Sequence, residues 1–511
     1  MKKARKLLAL ILSLTVALTM GMAVGTTAFA APTNTTISVP SSDTHNYYVY
    51  QIFTGDLADG VLSDVHWGAN GTGNEGALVP KATLDAIEAI DGTDAEKAAA
   101  LSAYADLTSN AKYSVNSGES VTVPTGYYLI KDKDAIGDND EATLYILKVV
   151  GPTTISRKAG TTTSDKTTDD VNDSTGASQS GQDSSDYDIG DDVPYHVSAT
   201  LSEKVEQYST YEITLKDTLQ SGSFDAISAL NIKLDGAAVA DTEDYTVTVT
   251  GADSATKDGF EVKFVFTAKE NKTLASLNGK TITIDFTAKL GEGAVVGGAG
   301  NTNKLNVTYS NNPNTNDKGK TTESTVTVFT YKIVVDKVKE DEEPLEGAGF
   351  TLYKVSKTDA EAGVPTASAT DAASKNAYWA TKALATAGTW TPSVDGAEFT
   401  FKGLDDGYYI LCETTTPNGY NTIDPQAFKV EATHTIDDGI TSLTATALTG
   451  STIEFTSDTE AGSLSTTVVN ESGTELPETG GIGTTIFYIL GALLVIGCGI
   501  VLIARRRLTA K

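Results

Sequence analysis

The stretch Gly-Tyr-Tyr-Ile-Leu at residues 407–411 has a near copy, Gly-Tyr-Tyr-Leu-Ile, at residues 126–130. In each copy, aromatic and branched apolar residues follow a glycine, a pattern typical of a buried β-strand. Two immunoglobulin-like sandwiches that share a late strand would produce this repeat, and so would chance in a tyrosine-rich β sequence. We favour a common architecture, which makes the expected fold class mainly β, with tandem sandwich domains.

Apolar residues alternate with polar ones along much of the chain, which indicates strands with one buried face. The clearest stretches are residues 211–215, 245–250, 260–268, 281–290, 304–310 and 331–335. Residues 79–108 differ, because they are rich in alanine and place Leu84, Ile87 and Ile90 at helical spacing. The first domain is therefore expected to contain short helices.

Residues 159–192 consist largely of Ser, Thr, Asp and Gly, a composition typical of a solvated linker or long loop. Four aspartates in this segment, Asp186, Asp188, Asp191 and Asp192, could form a calcium loop. Their spacing matches no ligand template, so a solvated acidic run is the preferred interpretation and no metal site is predicted.

The N-terminus carries an export signal. Basic residues precede an apolar run over residues 7–24, and Ala28-Phe29-Ala30 then provides the small residues of a signal-peptidase site. The sequence predicts a signal peptide over residues 1–30, cleaved between Ala30 and Ala31.

The C-terminus carries three features in order. The pentapeptide Leu476-Pro477-Glu478-Thr479-Gly480 is followed by an apolar run, residues 482–504, and a basic tail, residues 505–511. The run is long enough to cross about 30 Å of hydrocarbon as a helix, and the arginines would hold its end on the cytoplasmic side. The alternative is an ordinary single-span anchor that carries the pentapeptide by chance.

Charge and cysteine content narrow the function classes. The formal net charge is −29, and the two predicted processed ends carry basic residues and no acid. Such a chain repels nucleic acid and anionic membranes. Because Cys498 lies in the apolar run, Cys412 alone remains after processing and no internal disulfide can form. An exported protein of this size then needs another means of resisting force and proteases.

These observations predict a division into seven segments. They are a signal peptide (1–30), an N-terminal domain (31–158), a middle β-sandwich (159–330, with 159–192 linker-like), a C-terminal domain (331–475), the pentapeptide (476–480), a transmembrane helix (482–504) and a cytoplasmic tail (505–511).

Several motifs resemble one family. Residues 409–420 match the Tyr-x-Leu-x-Glu-Thr-x-x-Pro-x-Gly-Tyr pattern of sortase-assembled pilins at every fixed position. Residues 335–353 resemble the opening strands of a collagen-adhesin B-type domain, and residues 468–470 resemble its last strand. Residues 476–480 resemble the sorting signal that a sortase cuts between Thr479 and Gly480. The resemblance covers the mature chain, is strongest from 331 to 480, and implies the shaft subunit of a Gram-positive pilus.

The resemblance implies a spontaneous amide in the C-terminal domain, with Lys337 as amine, Asn470 as amide and Glu413 as the promoting acid. Burial disfavours charge, so it would keep the amine neutral and nucleophilic and the acid protonated. The fold holds the reacting groups together, which replaces a bimolecular encounter. Considered singly, Lys337 would be a solvated strand lysine and Glu413 an edge-strand carboxylate.

The middle domain matches the family less well. Residues 303–313 resemble the last strand of the family's middle domain, which implies Asn303 as acceptor and Asp217 as acid. Lys166 is the only lysine available before the strand at 193, but its flanks are far more polar than the family's first strand. The alternative is an uncrosslinked domain. The first domain is expected to lack such a bond, because no lysine occurs in residues 31–80 and Asp132 stands where the repeat places the glutamate.

Polymerisation in this family needs an exposed lysine that attacks the acyl-enzyme formed at Thr479 of another subunit. Lys158 occupies the expected place but lacks the flanking Tyr, Pro and Asn of the family motif. We select Lys158, with Lys166 in reserve. An ordinary linker lysine is the alternative.

The leading hypothesis is a structural pilin, and the nearest alternative is a monomeric wall-anchored adhesin. The expected partners are a pilus-class sortase, a housekeeping sortase, identical subunits, minor pilins, peptidoglycan and a host receptor. An enzyme is disfavoured, because the four histidines stand near no nucleophile or zinc motif. No cofactor is expected.

Overall fold

The computed structural model describes residues 34–58, 61–90, 100–138, 140–142, 144–155, 160–239, 245–251, 257–269, 273–313, 315–365, 369–384, 388–473 and 482–508. The predicted signal peptide with its cleavage site at Ala30 and Ala31, Lys158, and the pentapeptide 476–480 lie outside these residues.

The first domain packs two sheets against each other, with the side chains of Val49, Tyr128 and Ile130 fully buried between them. One sheet has the order β5-β1-β8 and the other β3-β2-β6-β7, with β4 also on β2. Helix α1 (Lys81–Glu88) confirms the prediction of short helical structure in this domain. The strands are β1 (Asn34–Ser38), β2 (Tyr47–Ala58), β3 (Val61–Trp67), β4 (Tyr113–Val115), β5 (Ser120–Pro124), β6 (Gly126–Asp132), β7 (Leu144–Val149) and β8 (Thr153–Thr154).

The middle domain is a larger sandwich. Its sheets have the orders β10-β9-β12-β19-β15-β16, with β14 on β19, and β11-β22-β20-β13-β18-β17, with β21 on β20. The strands are β9 (Thr163–Asn172), β10 (Ala177–Gln182), β11 (Ser184–Asp186), β12 (Asp192–Thr200), β13 (Thr210–Leu219), β14 (Phe224–Ile227), β15 (Asn231–Leu234), β16 (Ala237–Ala238), β17 (Tyr245–Thr250), β18 (Gly259–Thr267), β19 (Thr281–Leu290), β20 (Asn301–Ser310), β21 (Lys318–Lys320) and β22 (Ser324–Phe329).

Alternation along the strands builds this sandwich. In β19, every second side chain from Ile282 to Leu290 is buried, and the strand pairs antiparallel with β12 along its length. Burying such a branched or aromatic side chain is worth roughly 1.5–3 kcal/mol. The predicted mainly β, tandem-sandwich fold is confirmed.

The C-terminal domain has two five-stranded sheets, ordered β26-β27-β23-β32-β31 and β25-β24-β28-β29-β30. Helices α2 (Lys357–Ala362) and α3 (Ala372–Ala380) follow β24. The strands are β23 (Tyr331–Lys339), β24 (Gly349–Val355), β25 (Thr389–Trp390), β26 (Ser393–Asp395), β27 (Glu398–Leu404), β28 (Gly407–Thr415), β29 (Gln426–Thr435), β30 (Gly439–Ala447), β31 (Thr456–Asp458) and β32 (Ser463–Asn470).

The prediction of a solvated linker over residues 159–192 is wrong. Strands β9, β10 and β11 occupy most of it, and β9 pairs with β12 from Thr163 to Thr168. The inward side chains of β9 are Lys166, Thr168 and Asp170, which are polar but have 6% exposure or less. A composition rule assumes that polar residues face water, and here they face partners in the domain interior.

A helix at the C-terminus follows the pentapeptide, as predicted. Helix α4 (Ile482–Leu508) contains a segment, Ile486–Arg506, with a mean hydropathy of 2.8. At 1.5 Å per residue, this helix is long enough to cross a bilayer.

Backbone and side-chain contacts join consecutive domains. The Ala142 amide donates to the Asn311 carbonyl at 2.7 Å, and the Lys320 ammonium lies 3.1 Å from the Asp138 carboxylate. Further along, the Gly298 amide donates to the Glu460 carbonyl at 3.0 Å. The middle domain therefore contacts both of its neighbours.

Limited proteolysis tests the strand assignment in residues 163–186. A broad-specificity protease such as proteinase K should leave this segment of the native mature chain intact, because its backbone is hydrogen-bonded in sheets. Mass spectrometry of the first fragments measures this. Early cleavage within residues 163–186 would support the linker interpretation instead.

Candidate functional site

Three predicted residues come together inside the C-terminal domain. Lys337 lies on β23, Asn470 ends β32 and Glu413 lies on β28 of the facing sheet. The exposed fractions are 0%, 0% and 1%. Strands β23 and β32 are adjacent and parallel, with Lys337 opposite Val468 and Lys339 opposite Asn470. The fold thus places the lysine and the asparagine on neighbouring strands beneath one carboxylate.

The hydrogen bonds of this cluster orient the asparagine. Asn470 Nδ2 donates to Glu413 Oε1 at 2.7 Å, and the Ile423 amide donates to Oε2 at 2.9 Å. Asn470 Oδ1 is buried and has no hydrogen-bond partner among the described residues. Because the two ends of an amide are similar in shape, half a turn about its last bond would present Oδ1 to the same carboxyl oxygen.

The lysine amine is held in a dry environment. Lys337 Nζ donates to the carbonyl oxygens of Val338 at 3.1 Å and Val468 at 3.0 Å. Burial lowers the pKa of Lys337 to about 8, although the nearby Glu413 opposes this change. A substantial fraction of the amine is therefore neutral near physiological pH, and a neutral amine is a nucleophile.

A second cluster forms inside the middle domain from Lys166, Asp217 and Asn303, whose exposed fractions are 0%, 2% and 0%. Asp217 on β13 and Asn303 on β20 point into the sandwich from adjacent antiparallel strands, and Lys166 reaches them from β9 of the facing sheet. Lys166 Nζ donates to Asp217 Oδ2. The polar flanks of Lys166 therefore do not keep it out of the interior.

Asn303 lies beside this pair. Its amide is close enough to Asp217 and Tyr195 to influence the pKa of both groups. Neither amide atom makes a hydrogen bond of ordinary geometry with the described residues, and Asp217 Oδ1 makes none either. Buried polar atoms normally have partners, so the Asn303 amide is unusual in lying beside the acid without a hydrogen bond of ordinary geometry.

The surroundings favour the neutral forms of the lysine and the acid. Burial lowers the pKa of Lys166 and raises the pKa of Asp217, and their mutual attraction only partly opposes these shifts. The lysine amine lies 4.9 Å from the Tyr195 ring centre and 5.0 Å from that of Phe286. A neutral amine beside a protonated acid is the state that amide formation requires.

The first domain has a different arrangement at the equivalent position. Strand β6 carries the repeat of β28, and Asp132 stands where β28 carries Glu413. Asp132 Oδ1 lies 2.5 Å from His45 Nδ1, and Asp140 Oδ2 lies 2.5 Å from His45 Nε2. A histidine therefore faces this acid, consistent with the absence of a lysine from residues 31–80.

Two sequence-based interpretations need correction. Lys166 is fully buried, so it cannot serve as the reserve lysine for polymerisation. Asp186 and Asp188 have 3% and 4% exposure, so the solvated acidic run is wrong for these two residues. They are buried because residues 184–190 enter the junction with the C-terminal domain.

Sequence reasoning also missed residues that complete these regions. Tyr195 lines the middle cluster, and its place on the buried face of β12 was readable from the alternation of residues 193–199. Lys354, Asp405, Asp406 and His434 meet Asp186 and Asp188 at the domain junction. No spacing within the sequence signals that meeting, because the residues come from separate strands and loops.

Two family models match the C-terminal third of the chain. Residues 331–447 match the SpaA prealbumin-like fold domain, and residues 468–507 match the LPXTG cell wall anchor motif. The first match contains Lys337 and Glu413, and the second begins at Val468 and contains Asn470 and the pentapeptide.

Known proteins resemble larger parts of the chain. The trypsin-resistant surface T6 protein of Streptococcus pyogenes serotype M6 is 24% identical over 373 residues, which are 62% of this chain and 65% of that protein's length. The structure of the T6 backbone pilin of serotype M6 S. pyogenes has a TM-score of 0.53 at 15% identity, covering 88% of this chain and 100% of that one. The major pilin SpaD of Corynebacterium diphtheriae has a TM-score of 0.44 at 15% identity, with coverages of 88% and 99%.

The two family matches identify regions of the chain, and the T6 pilin shows its fold. Residues 331–447 are a SpaA-type prealbumin-like domain, residues 468–507 are an LPXTG cell wall anchor, and the chain is a cell-wall-anchored surface protein with the fold of a Gram-positive backbone pilin.

Proposed function

We propose that this chain is the shaft subunit of a covalently polymerised pilus that supports adhesion. The observation that carries the proposal is the pair of buried lysine, acid and asparagine clusters in two consecutive sandwiches. They supply internal crosslinks to a chain whose described cysteines are both free. The LPXTG anchor and the T6-like fold support the same conclusion.

Amide formation follows one route in both clusters. The neutral amine of Lys337 attacks Cγ of Asn470, and the carboxyl group of Glu413 takes the role of the acid that donates to the amide oxygen and stabilises the developing negative charge. The new C–N bond forms, the amine loses a proton, and Nδ2 leaves with it as ammonia. In the middle domain Lys166, Asn303 and Asp217 take the same roles. Each domain reacts once, so this is self-crosslinking without turnover.

Sortase chemistry then joins the subunits. A pilus-class sortase cleaves after Thr479 and transfers its carbonyl to Lys158 of another subunit, and a housekeeping sortase transfers the last subunit to peptidoglycan. Minor pilins and a host receptor complete the partners we expect. With both internal amides formed, the covalent path from Lys158 to Thr479 bypasses residues 167–302 and 338–469.

The intact mass of the protein gives the number of internal amides. The mature chain, residues 31–479, made without sortase, should weigh about 34 Da less than its sequence, because each amide releases ammonia of about 17 Da. Lys337→Ala and Lys166→Ala should each show a single loss of about 17 Da relative to their own sequences.

Lys332→Ala is the matched control for this measurement, because Lys332 lies on the same strand as Lys337 with its side chain toward the other face. This variant should keep both losses. Glu413→Ala should lose only the C-terminal amide. A wild-type chain at its full sequence mass would contradict the crosslinking mechanism.

The rate of C-terminal amide formation should depend on pH. Because the pKa of Lys337 is about 8, the neutral amine becomes scarcer as pH falls, by about tenfold per unit well below that value. Mature chain carrying Lys166→Ala, recovered unfolded from inclusion bodies at its full sequence mass, should therefore crosslink more slowly at pH 6 than at pH 8 when it folds. Quenching in denaturant followed by mass spectrometry gives the rate of crosslinking. Tryptophan fluorescence gives the rate of folding separately. Equal rates after complete folding would show that amine deprotonation does not control the step.

Polymerisation is tested on the surface of the producing bacterium. Wild-type protein should give a ladder of covalent multimers in hot detergent, and both Thr479→Ala and Lys158→Ala should remove it. Lys148→Ala changes a partly exposed lysine on β7 and should leave the ladder unchanged. A single wild-type band would favour the monomeric wall-anchored adhesin, for which the missing Tyr, Pro and Asn around Lys158 is the supporting observation.

A further inference from the structure

Five aspartates are buried where the middle and C-terminal domains meet. Asp170, Asp186 and Asp188 come from the middle domain, and Asp405 and Asp406 come from the loop between β27 and β28. Their exposed fractions lie between 0% and 6%. Carboxylates gathered in a dry interior repel one another unless cations or protons compensate them.

In one part of this junction, a lysine neutralises the negative charge of the aspartates. Lys354 Nζ lies 2.7 Å from Asp188, 2.7 Å from Asp173 and 3.5 Å from Asp405. Among the described residues, the other basic side chain that forms an ion-pair contact with these carboxylates is His434, whose Nε2 lies 3.3 Å from Asp186 Oδ1. Two basic side chains therefore face five buried aspartates.

The other part brings several possible metal-ligand atoms close together. One oxygen each from Asp170 and Asp186 and one nitrogen of His434 lie within 4.8 Å of one another, and so do oxygens of Asp186, Asp405 and Asp406. The two groups share Asp186. Oδ1 of Asp170, on a side chain at least nine-tenths buried, has no hydrogen-bond partner among the described residues. A buried carboxylate oxygen normally has a partner, so this oxygen is available to a ligand.

We propose that Asp170, Asp186 and His434, with Asp406 alongside, bind a divalent cation that joins the middle and C-terminal domains. Asp170 and Asp186 belong to strands β9 and β11, whereas His434 belongs to β29 and Asp406 precedes β28. One ion would thus draw ligands from both domains.

The types of ligand indicate which metals the proposed site would bind. Carboxylates suit Mg²⁺, Ca²⁺ and Mn²⁺, whereas imidazole suits Zn²⁺ and other transition metals. A site of one imidazole and several carboxylates fits Mn²⁺ or Zn²⁺ better than Ca²⁺ or Mg²⁺, whose ligands are usually all oxygen. His434 Nδ1 lies 2.8 Å from Ser184 Oγ, a contact that can hold the ring with Nε2 toward Asp186.

Protonation of the aspartates is the alternative way to neutralise their charge. Burial raises the pKa of Asp406 to about 7 and that of Asp170 to about 6, with repulsion from Asp186 adding to each. Burial lowers the pKa of His434, but hydrogen bonding to Asp186 and the nearby carboxylates more than offset this and raise it overall. A metal ion would replace these shared protons, since its ligands must be deprotonated.

Manganese titration tests the proposal on the mature chain, residues 31–479. The protein is stripped with EDTA, exchanged into metal-free buffer at pH 7.5 and titrated with Mn²⁺, and the free ion is counted by its electron paramagnetic resonance signal. One Mn²⁺ per chain should be bound, Zn²⁺ should displace it, and either metal should raise the thermal unfolding midpoint.

Three variants connect the binding to these ligands. Asp170→Asn and His434→Gln should each weaken Mn²⁺ binding by about tenfold or more, because each removes a ligand. Asp169→Asn is the matched control, since Asp169 precedes Asp170 on β9, faces the other side and contacts His196 at 3.1 Å. It should bind Mn²⁺ as the wild type does.

Without metal, Asp170→Asn should unfold at the same temperature as wild type or higher, because it removes one of several like charges. The proposal is overturned if the stripped wild-type chain binds neither Mn²⁺ nor Zn²⁺, in which case the junction is compensated by protons. It is equally overturned if Asp170→Asn and His434→Gln bind Mn²⁺ as tightly as Asp169→Asn.

Discussion

Burial of a lysine amine beside a carboxyl group is the constraint on which both sandwiches depend. A charged ammonium loses its hydration inside a sheet-on-sheet core, and this loss costs several kcal/mol even after relaxation. Lys337 and Lys166 both incur this cost. Burial lowers the pKa of each amine, so the neutral form relieves part of the cost. Conversion to an amide, as proposed, would remove the titrating group permanently. The same burial that destabilises an unreacted domain would then drive it toward the reacted one.

The two clusters bring their lysine, acid and asparagine together from different strand pairs. In the C-terminal domain, the lysine and asparagine strands are neighbours in one sheet and the acid comes from the other. In the middle domain, the acid and asparagine strands are neighbours and the lysine crosses from the facing sheet. One bond would fasten strands side by side, and the other would fasten the two layers together. The common requirement is convergence of the three groups in a dry interior.

The C-terminal cluster was predictable from sequence because its residues lie in motifs that resemble those of sortase-assembled pilins. Residues 409–420 locate Glu413, and the strand patterns on either side locate Lys337 and Asn470. The middle cluster was only partly predictable, since β9 buries Lys166, Thr168 and Asp170, and such a strand has no apolar alternation to reveal it. The junction aspartates were not predictable at all. Their burial arises from the contact between two domains, which no local pattern in either one encodes.

Strands β23 and β32 run parallel through eight paired residues, Lys332–Lys339 with Ser463–Asn470. The start of β23 leads from the middle domain, and the end of β32 leads to the anchor, so tension pulls the two strands lengthwise in opposite directions. Such loading shears the ladder, and its hydrogen bonds must break together, whereas an antiparallel pair pulled from one end would unzip bond by bond. The order of the first and last strands would thus give this domain mechanical strength even before Lys337 reacts.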